Sequence, residues 1–249
     1  MYFVFLYSKI NVMTKLSVNI NKVATLRNAR GGKIPNVINF ARDVQEFGAQ
    51  GVTIHPRPDQ RHIRYQDALD LKLEVHTEYN IEGNPIPKFI DLILKIKPTQ
   101  VTLVPDSESA ITSNAGWDCK RHGAYLEEVV SEFKRNNIRT SIFLDPDESQ
   151  VESAVRTGVD RIELYTELFA NEFSKKNYDG IKPYIKAAEL ANNYGIGLNA
   201  GHDLSLDNIH FFKENIPFLL EVSIGHALIC ESLYFGIENV IKMYLHKLK

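Results

Sequence analysis

FGAQGVTIH at residues 47–55, TGVDRIELY at 157–165 and YGIGLNAG at 194–201 are the same joint written three times. In each, a helical pattern stops near a glycine (Gly48, Gly158, Gly195) and a strand begins within a few residues. Glycine ends helices this way because it adopts the left-handed C′ conformation without steric cost. Outward from these joints the alternation continues. Short apolar, often β-branched segments predict buried strands at 16–20, 51–55, 78–82, 101–104, 139–145, 161–166, 197–201 and 221–225. Stripes of period 3.6 predict helices at 37–47, 88–96 and 123–136, with further candidates at 149–157, 182–194 and 207–214. A long amphipathic helix is predicted over 229–247. Alternating β and α units imply a parallel sheet. Eight strands in 249 residues suit a (β/α)8 TIM barrel with extra helices; a doubly wound open sheet is the alternative.

Composition narrows the function classes. Lys and Arg total 29 against 31 Asp and Glu, a net charge of −2, so nucleic-acid binding has no support. The two cysteines, Cys119 and Cys230, show no CxxC spacing. This disfavours a disulfide framework or structural zinc and points to a reducing, cytoplasmic setting. The N-terminal run MYFVFLYSKINV (1–12) is far shorter than the roughly 20 apolar residues of a membrane span. It also lacks a basic leader and a cleavage site. It reads as an extension ahead of a start at Met13, with 13–249 as a single barrel domain and no membrane partner. Neither GxGxxG, GxxxxGK[ST], HExxH nor GxSxG occurs, so the expectation is no nucleotide cofactor and no metal.

In a parallel barrel the chemistry gathers at the C-terminal ends of the strands. Those ends carry Asn19 and Asn21, His55 and Arg57, Glu82, Asp145, Gly201-His202-Asp203, and Gly225-His226, with Glu163 within strand 6. Each has an ordinary structural reading alone: a turn cap for Asn19, Asn21 or Asp145, hydrogen-bonded packing for a single histidine. Their conjunction at one rim points to general acid–base work by His55, Glu82 and His202, whose pKa values burial can move. Phosphate handling is the second signal. SIGHALI (223–229) sets Gly225 just before a helix start, where backbone N–H groups bind anions. HPRPDQRHI (55–63) holds Arg57, Arg61 and His62 in a proline-stiffened loop, and RNARGG (27–32) reads as a second, flexible cationic loop with Arg27 and Arg30. Two cationic loops and a glycine turn fit one or two small phosphorylated substrates.

Six ordered motifs carry a resemblance: NINKVATLRNARGG (19–32), GVTIHPRPDQRHI (51–63), YNIEGNP (79–85), VTLVPDSESAITSNAGWD (101–118), LNAGHDLSLDNI (198–209) and EVSIGHALI (221–229). Together they resemble the pyridoxine 5′-phosphate synthase family of the deoxyxylulose-dependent vitamin B6 pathway, from about Leu16 to the C-terminal helix. The resemblance implies a cytoplasmic, homo-octameric transferase. Its members condense 3-amino-2-oxopropyl phosphate with 1-deoxy-D-xylulose 5-phosphate, giving pyridoxine 5′-phosphate, phosphate and water. It further implies that His55 and Glu82 are proton acceptors and His202 a proton donor. Asn19 and Arg30 match contacts to the amino-ketone phosphate, and Gly225 and His226 the turn holding its phosphate. Arg57, His62 and Thr112 match the deoxyxylulose-phosphate site. Two departures stand out. Many members read Asn-Ile-Asp-His where this chain has Asn19-Ile20-Asn21-Lys22, at sugar-phosphate contacts. Asp203, in a substrate-binding position, follows His202 where glycine is usual. A barrel that only binds phosphosugars, or a phosphosugar isomerase or epimerase, is the competing expectation.

Overall fold

The computed structural model describes residues 13–106 and 115–249. Its strands are β1 (Lys15–Asn19), β2 (Gly51–Ile54), β3 (Glu78–Gly83), β4 (Gln100–Leu103), β5 (Arg139–Leu144), β6 (Arg161–Tyr165), β7 (Gly197–Gly201) and β8 (Leu219–Ile224). Each pairs in parallel with its sequence neighbour, and β1 pairs with β8, closing the barrel. The expected (β/α)8 architecture is therefore the observed one, and the open-sheet alternative falls.

Around it lie α1 (Asn21–Ala29), α2 (Val37–Glu46), α3 (Tyr65–Leu71), α4 (Pro87–Ile96), α5 (Cys119–Arg135), α6 (Glu148–Arg156), α7 (Glu167–Ser174), α8 (Lys182–Asn193), α9 (Ile209–Asn215), α10 (His226–Phe235) and α11 (Ile237–Lys247). A 3₁₀ turn at Tyr178–Ile181 leads into α8. Local chemistry sets their ends. Asn36 caps α2 by accepting from the backbone N–H groups of Ile38 and Asn39, and Asp147 caps α6 through Gln150. Gly48, Gly158 and Gly195 have φ of 107°, 74° and 73°, the left-handed geometry expected of the three joints. The tail differs from expectation. Gly236, at φ 79° and ψ 143°, stops α10 and starts α11, so 229–247 is two helices rather than one.

The strands bury both faces, but the two faces differ in kind. Leu16, Val18, Val52, Ile54, Ile81, Val101, Ile142, Ile162 and Val222 are fully buried in the apolar core shared with the helices. The alternate positions, facing into the barrel, are polar and equally buried: Ser17, Thr53, Asn80, Thr102, Ser141, Glu163, Asn199 and Glu221. This departs from strands read as simply apolar, and from the branched aliphatic layers that usually fill such barrels. Hydrogen bonds satisfy most of this polar interior, although the Ser141 hydroxyl has no partner among the described residues. Ser17 and Thr53 hydroxyls lie 2.7 Å apart, Thr102 donates to Asn80 at 3.0 Å, and Asn80 donates to Thr53 at 3.3 Å. Towards the strand starts, Glu78 pairs with Lys15 and Arg139, while Arg161 lies 3.7 Å from Glu221.

Candidate active site

The order of residues along each strand decides what faces the mouth. On β3 the inward series is Glu78, Asn80, Glu82, and only Glu82 reaches the C-terminal rim. His55 follows β2 directly. Its Nδ1 stands 3.9 Å from a Glu82 carboxylate oxygen, with both side chains largely buried at 8% and 14% exposure. Asn19, the last residue of β1, donates to the same Glu82 oxygen at 3.4 Å. Asn19 also accepts from the backbone N–H of Asn21 at 3.1 Å, and the Asn21 side chain accepts from that of His55 at 2.9 Å. The first three strand ends are thus one hydrogen-bonded unit.

Electrostatics favours the uncharged forms of His55 and Glu82. Burial, reinforced by Arg57 and Arg61 and then by His202, pulls the His55 pKa down to about 3. Burial also holds the Glu82 carboxyl well above the usual carboxylate range, with Glu163, Asp106 and Glu221 adding like charge. Burial thus favours the protonated form of Glu82 and the uncharged imidazole of His55. Glu163, deeper on β6, is pushed up to about 8, first by burial and then by Glu221. Glu163, named from the sequence as lying within strand 6, follows the inward parity of RIELY and sits below the rim.

The second loop is built by ion pairs. Arg57 donates to Asp106 at 2.7 Å, both nearly fully buried, and Asn84 donates to the Asp106 carbonyl at 2.9 Å. A pocket lined by His55, Arg57, Pro58, Gly83, Asn84 and Asp106 opens here. His62 lies across from His55, ring centroids 6.2 Å apart. Its Nδ1 accepts the Ile63 backbone N–H at 2.9 Å, and burial, then His55 and Arg57, hold its pKa near 3. Arg27 corrects the reading of 27–32 as a flexible cationic loop. It lies within α1, is 6% exposed, and forks onto Asp67 at 2.6 and 2.8 Å while donating to the His62 carbonyl at 3.1 Å. It is a strut for the His62 loop.

On the far side, His202 follows β7, and Tyr165 sets its ring edge-to-face at 5.3 Å. Tyr165 forms an apolar wall with Val104 and Phe143. Gly225 precedes α10 and lies against β1: a Cβ there would come 3.1 Å from that of Asn19. The first N–H groups of α10 are thereby set beside the Asn19 end of the cluster, and His226 opens that helix, exposed. Lys22, on the first turn of α1, acts on His62 through its charge. Arg30 stands apart: it is exposed at the end of α1, a helix length of about 13 Å from Asn21. Thr112 lies outside the described residues. Asp145 accepts from the Gly116 N–H at 3.0 Å, tying down the far end of the β4–α5 connection. Asp106 was not among the sequence candidates; Val-Pro-Asp immediately after β4 was its available signal. Among the described residues no group of three or more His, Cys, Asp or Glu side chains could hold a metal ion.

Known proteins share this fold. A 3-keto-L-gulonate-6-phosphate decarboxylase from Vibrio cholerae superposes with a TM-score of 0.66 over 95% of this chain and 97% of its own, at 9% identity. A phosphoribosylanthranilate isomerase from Thermotoga maritima gives 0.60 over 95% and 98%, at 17% identity. Both share the fold. Nearer relatives are proteins named pyridoxine 5′-phosphate synthase. That of Flavobacterium johnsoniae is 68% identical over 237 residues, 95% of this chain and 100% of its own length. That of Cytophaga hutchinsonii is 60% identical over the same span. The family described as pyridoxal phosphate biosynthesis protein PdxJ matches residues 16–249, and the chain belongs to that family.

Proposed function

We propose that this chain is a pyridoxine 5′-phosphate synthase, a transferase that condenses 3-amino-2-oxopropyl phosphate with 1-deoxy-D-xylulose 5-phosphate. The observation that carries the reading is the buried His55–Glu82 contact at 3.9 Å, with His202 close enough to act on His55 through its charge. Ring closure requires an amine to add to a ketone, then loss of water and of phosphate. Glu82, holding a proton, serves carbinolamine formation and dehydration. The resulting carboxylate can then take a proton. His55, the free base, abstracts a proton during elimination and cyclisation. His202 protonates a leaving oxygen. Glu163, neutral and buried beneath the rim, limits negative charge behind the reacting carbonyl.

Two anion cradles accommodate two phosphorylated substrates. Gly225, His226 and Asn19 at the start of α10 serve the amino-ketone phosphate, with Arg30 assigned to it by family resemblance. Arg57, His62 and Thr112 serve the sugar phosphate. Asn21 keeps a polar contact at the strand end, since it accepts the His55 N–H, and Lys22 keeps a cation there. This favours the enzyme over a barrel that only binds phosphosugars. A homo-octamer belongs to the same reading; exposed Leu233, Tyr234 and Phe235 at the end of α10 offer apolar surface for assembly. The cytoplasmic setting is supported by two free cysteines, and among the described residues no helix is long and apolar enough to cross a membrane. Residues 13–249 are read as one domain because β1 and β8 close a single barrel.

The test is a phosphate-release assay with both substrates. Glu82→Gln, His55→Asn and His202→Asn should each lose about 10²–10⁴-fold in turnover. Near-normal turnover in all three would overturn the assignment.

A further inference from the structure

Asp203 follows His202 at the end of β7, and its carboxylate is engaged by that neighbour. The Oδ2 atom lies 2.8 Å from Nδ1 of His202, and a carboxylate oxygen at that distance accepts, so the proton belongs to Nδ1. The backbone on both sides is clamped to hold this contact. Gly201, before it, has no room for a side chain: a Cβ would meet the Ser223 carbonyl at 2.5 Å. The His202 backbone adopts φ 85°, a left-handed conformation unusual for a non-glycine residue. The Thr166 hydroxyl donates to the Gly201 carbonyl at 2.5 Å and accepts the Asp203 N–H at 3.1 Å. Asn208 donates to the Asp203 carbonyl at 3.3 Å. Tyr165, itself fixed by donating to Glu167 at 2.7 Å, closes one side of the imidazole.

We infer that Asp203 is a positioning residue for the synthase reaction, orienting His202 and fixing its tautomer so that Nε2 is the atom that exchanges a proton with substrate. The inference rests on His202 being the proton donor proposed above. With Nδ1–H held by the Asp203 carboxylate, the ring keeps one orientation and Nε2 is the nitrogen left for exchange with substrate. The strained backbone at His202 is then accounted for: it aims the side chain towards its neighbour's carboxylate and not along the strand.

The experiment compares wild type, Asp203→Asn, Asp203→Ala and His202→Asn. It uses steady-state kinetics with both substrates and ¹⁵N spectra of protein labelled at histidine. Asp203→Asn is isosteric, but its amide donates to Nδ1 and selects the opposite tautomer. The expected result is a fall in kcat of roughly 10²-fold in Asp203→Asn and Asp203→Ala. KM for each substrate stays within about threefold, and in Asp203→Asn the His202 signal moves to the Nε2–H form. The inference is overturned if kcat stays within about threefold of wild type, if KM alone rises, or if the His202 tautomer is unchanged. His202→Asn separates the two readings. A full loss there beside normal Asp203 variants sinks only the positioning role. Normal turnover in His202→Asn sinks the donor assignment itself, and the tautomer signal still decides whether Asp203 orients the ring.

Discussion

Replacing His55 by asparagine should make the protein less sensitive to mild acid while abolishing its proposed base. In the folded chain the His55 pKa is lowered from 6.5 to about 3. The unfolded chain regains the ordinary value. A group whose folded pKa is depressed binds fewer protons in the folded state, so stability is fully present above about pH 6.5 and declines as pH falls towards 3. At pH 5.0 the unfolded imidazole is charged and the folded one is not, a difference of roughly 2 kcal/mol at 1.36 kcal/mol per pH interval of one. Urea unfolding at pH 7.5 and 5.0, at one protein concentration, measures it. Wild type should lose about 2 kcal/mol more between the two values than His55→Asn. Comparing each protein with itself cancels the packing lost with the ring; His62 remains in both, and because His55 helps hold its pKa down, any relief there in His55→Asn adds to the difference in the same direction. Equal losses in the two proteins would refute the claim that His55 is held neutral, and with it the case for a ready base at neutral pH.

Three further outcomes follow from the packing. Gly201→Ala drives a Cβ to 2.5 Å from the Ser223 carbonyl and 3.0 Å from a Glu163 oxygen; a thermal melt should show a loss of about 2–3 kcal/mol. Arg27→Ala removes both guanidinium donors from the part-buried Asp67 carboxylate, which keeps only the Arg64 N–H, and should cost about 2–3 kcal/mol. Arg27→Met with Asp67→Leu should recover most of that, both read by denaturant midpoints. Gly236→Ala, at φ 79° and ψ 143°, should cost about 1–3 kcal/mol by the same measurement, with little effect on turnover because the break between α10 and α11 lies beyond the site.

The barrel is legible in the sequence because its joints are local. A glycine after a helical stripe and before a strand needs only its own φ, and Gly48, Gly158 and Gly195 all take it. The rim is legible for the same reason: His55, Glu82 and His202 each mark a strand end. What escapes is decided across the sheet or across the chain. KLSVN, EYNIEG and RIELY alternate, yet alternation alone does not say that the polar row lines a closed barrel; pairing of β1 with β8 does. Arg27 reads as one of several loop cations until Asp67, forty residues on, takes it out of water. The helices α3 and α7, of 7 and 8 residues, are too short to show a period. The tail pattern runs through Gly236 without a gap, and only its backbone angle divides the helix. Asp203 reads as a substrate contact because strand position says nothing about which neighbour its carboxylate meets.

On this reading one cavity joins two phosphorylated substrates by proton transfer between His55, Glu82 and His202. Purified protein supplied with both substrates should form pyridoxine 5′-phosphate and release phosphate together. Neither product should form when the amino-ketone is withheld. Phosphate release that does not need the amino-ketone, or no pyridoxine 5′-phosphate from the complete mixture, would contradict it.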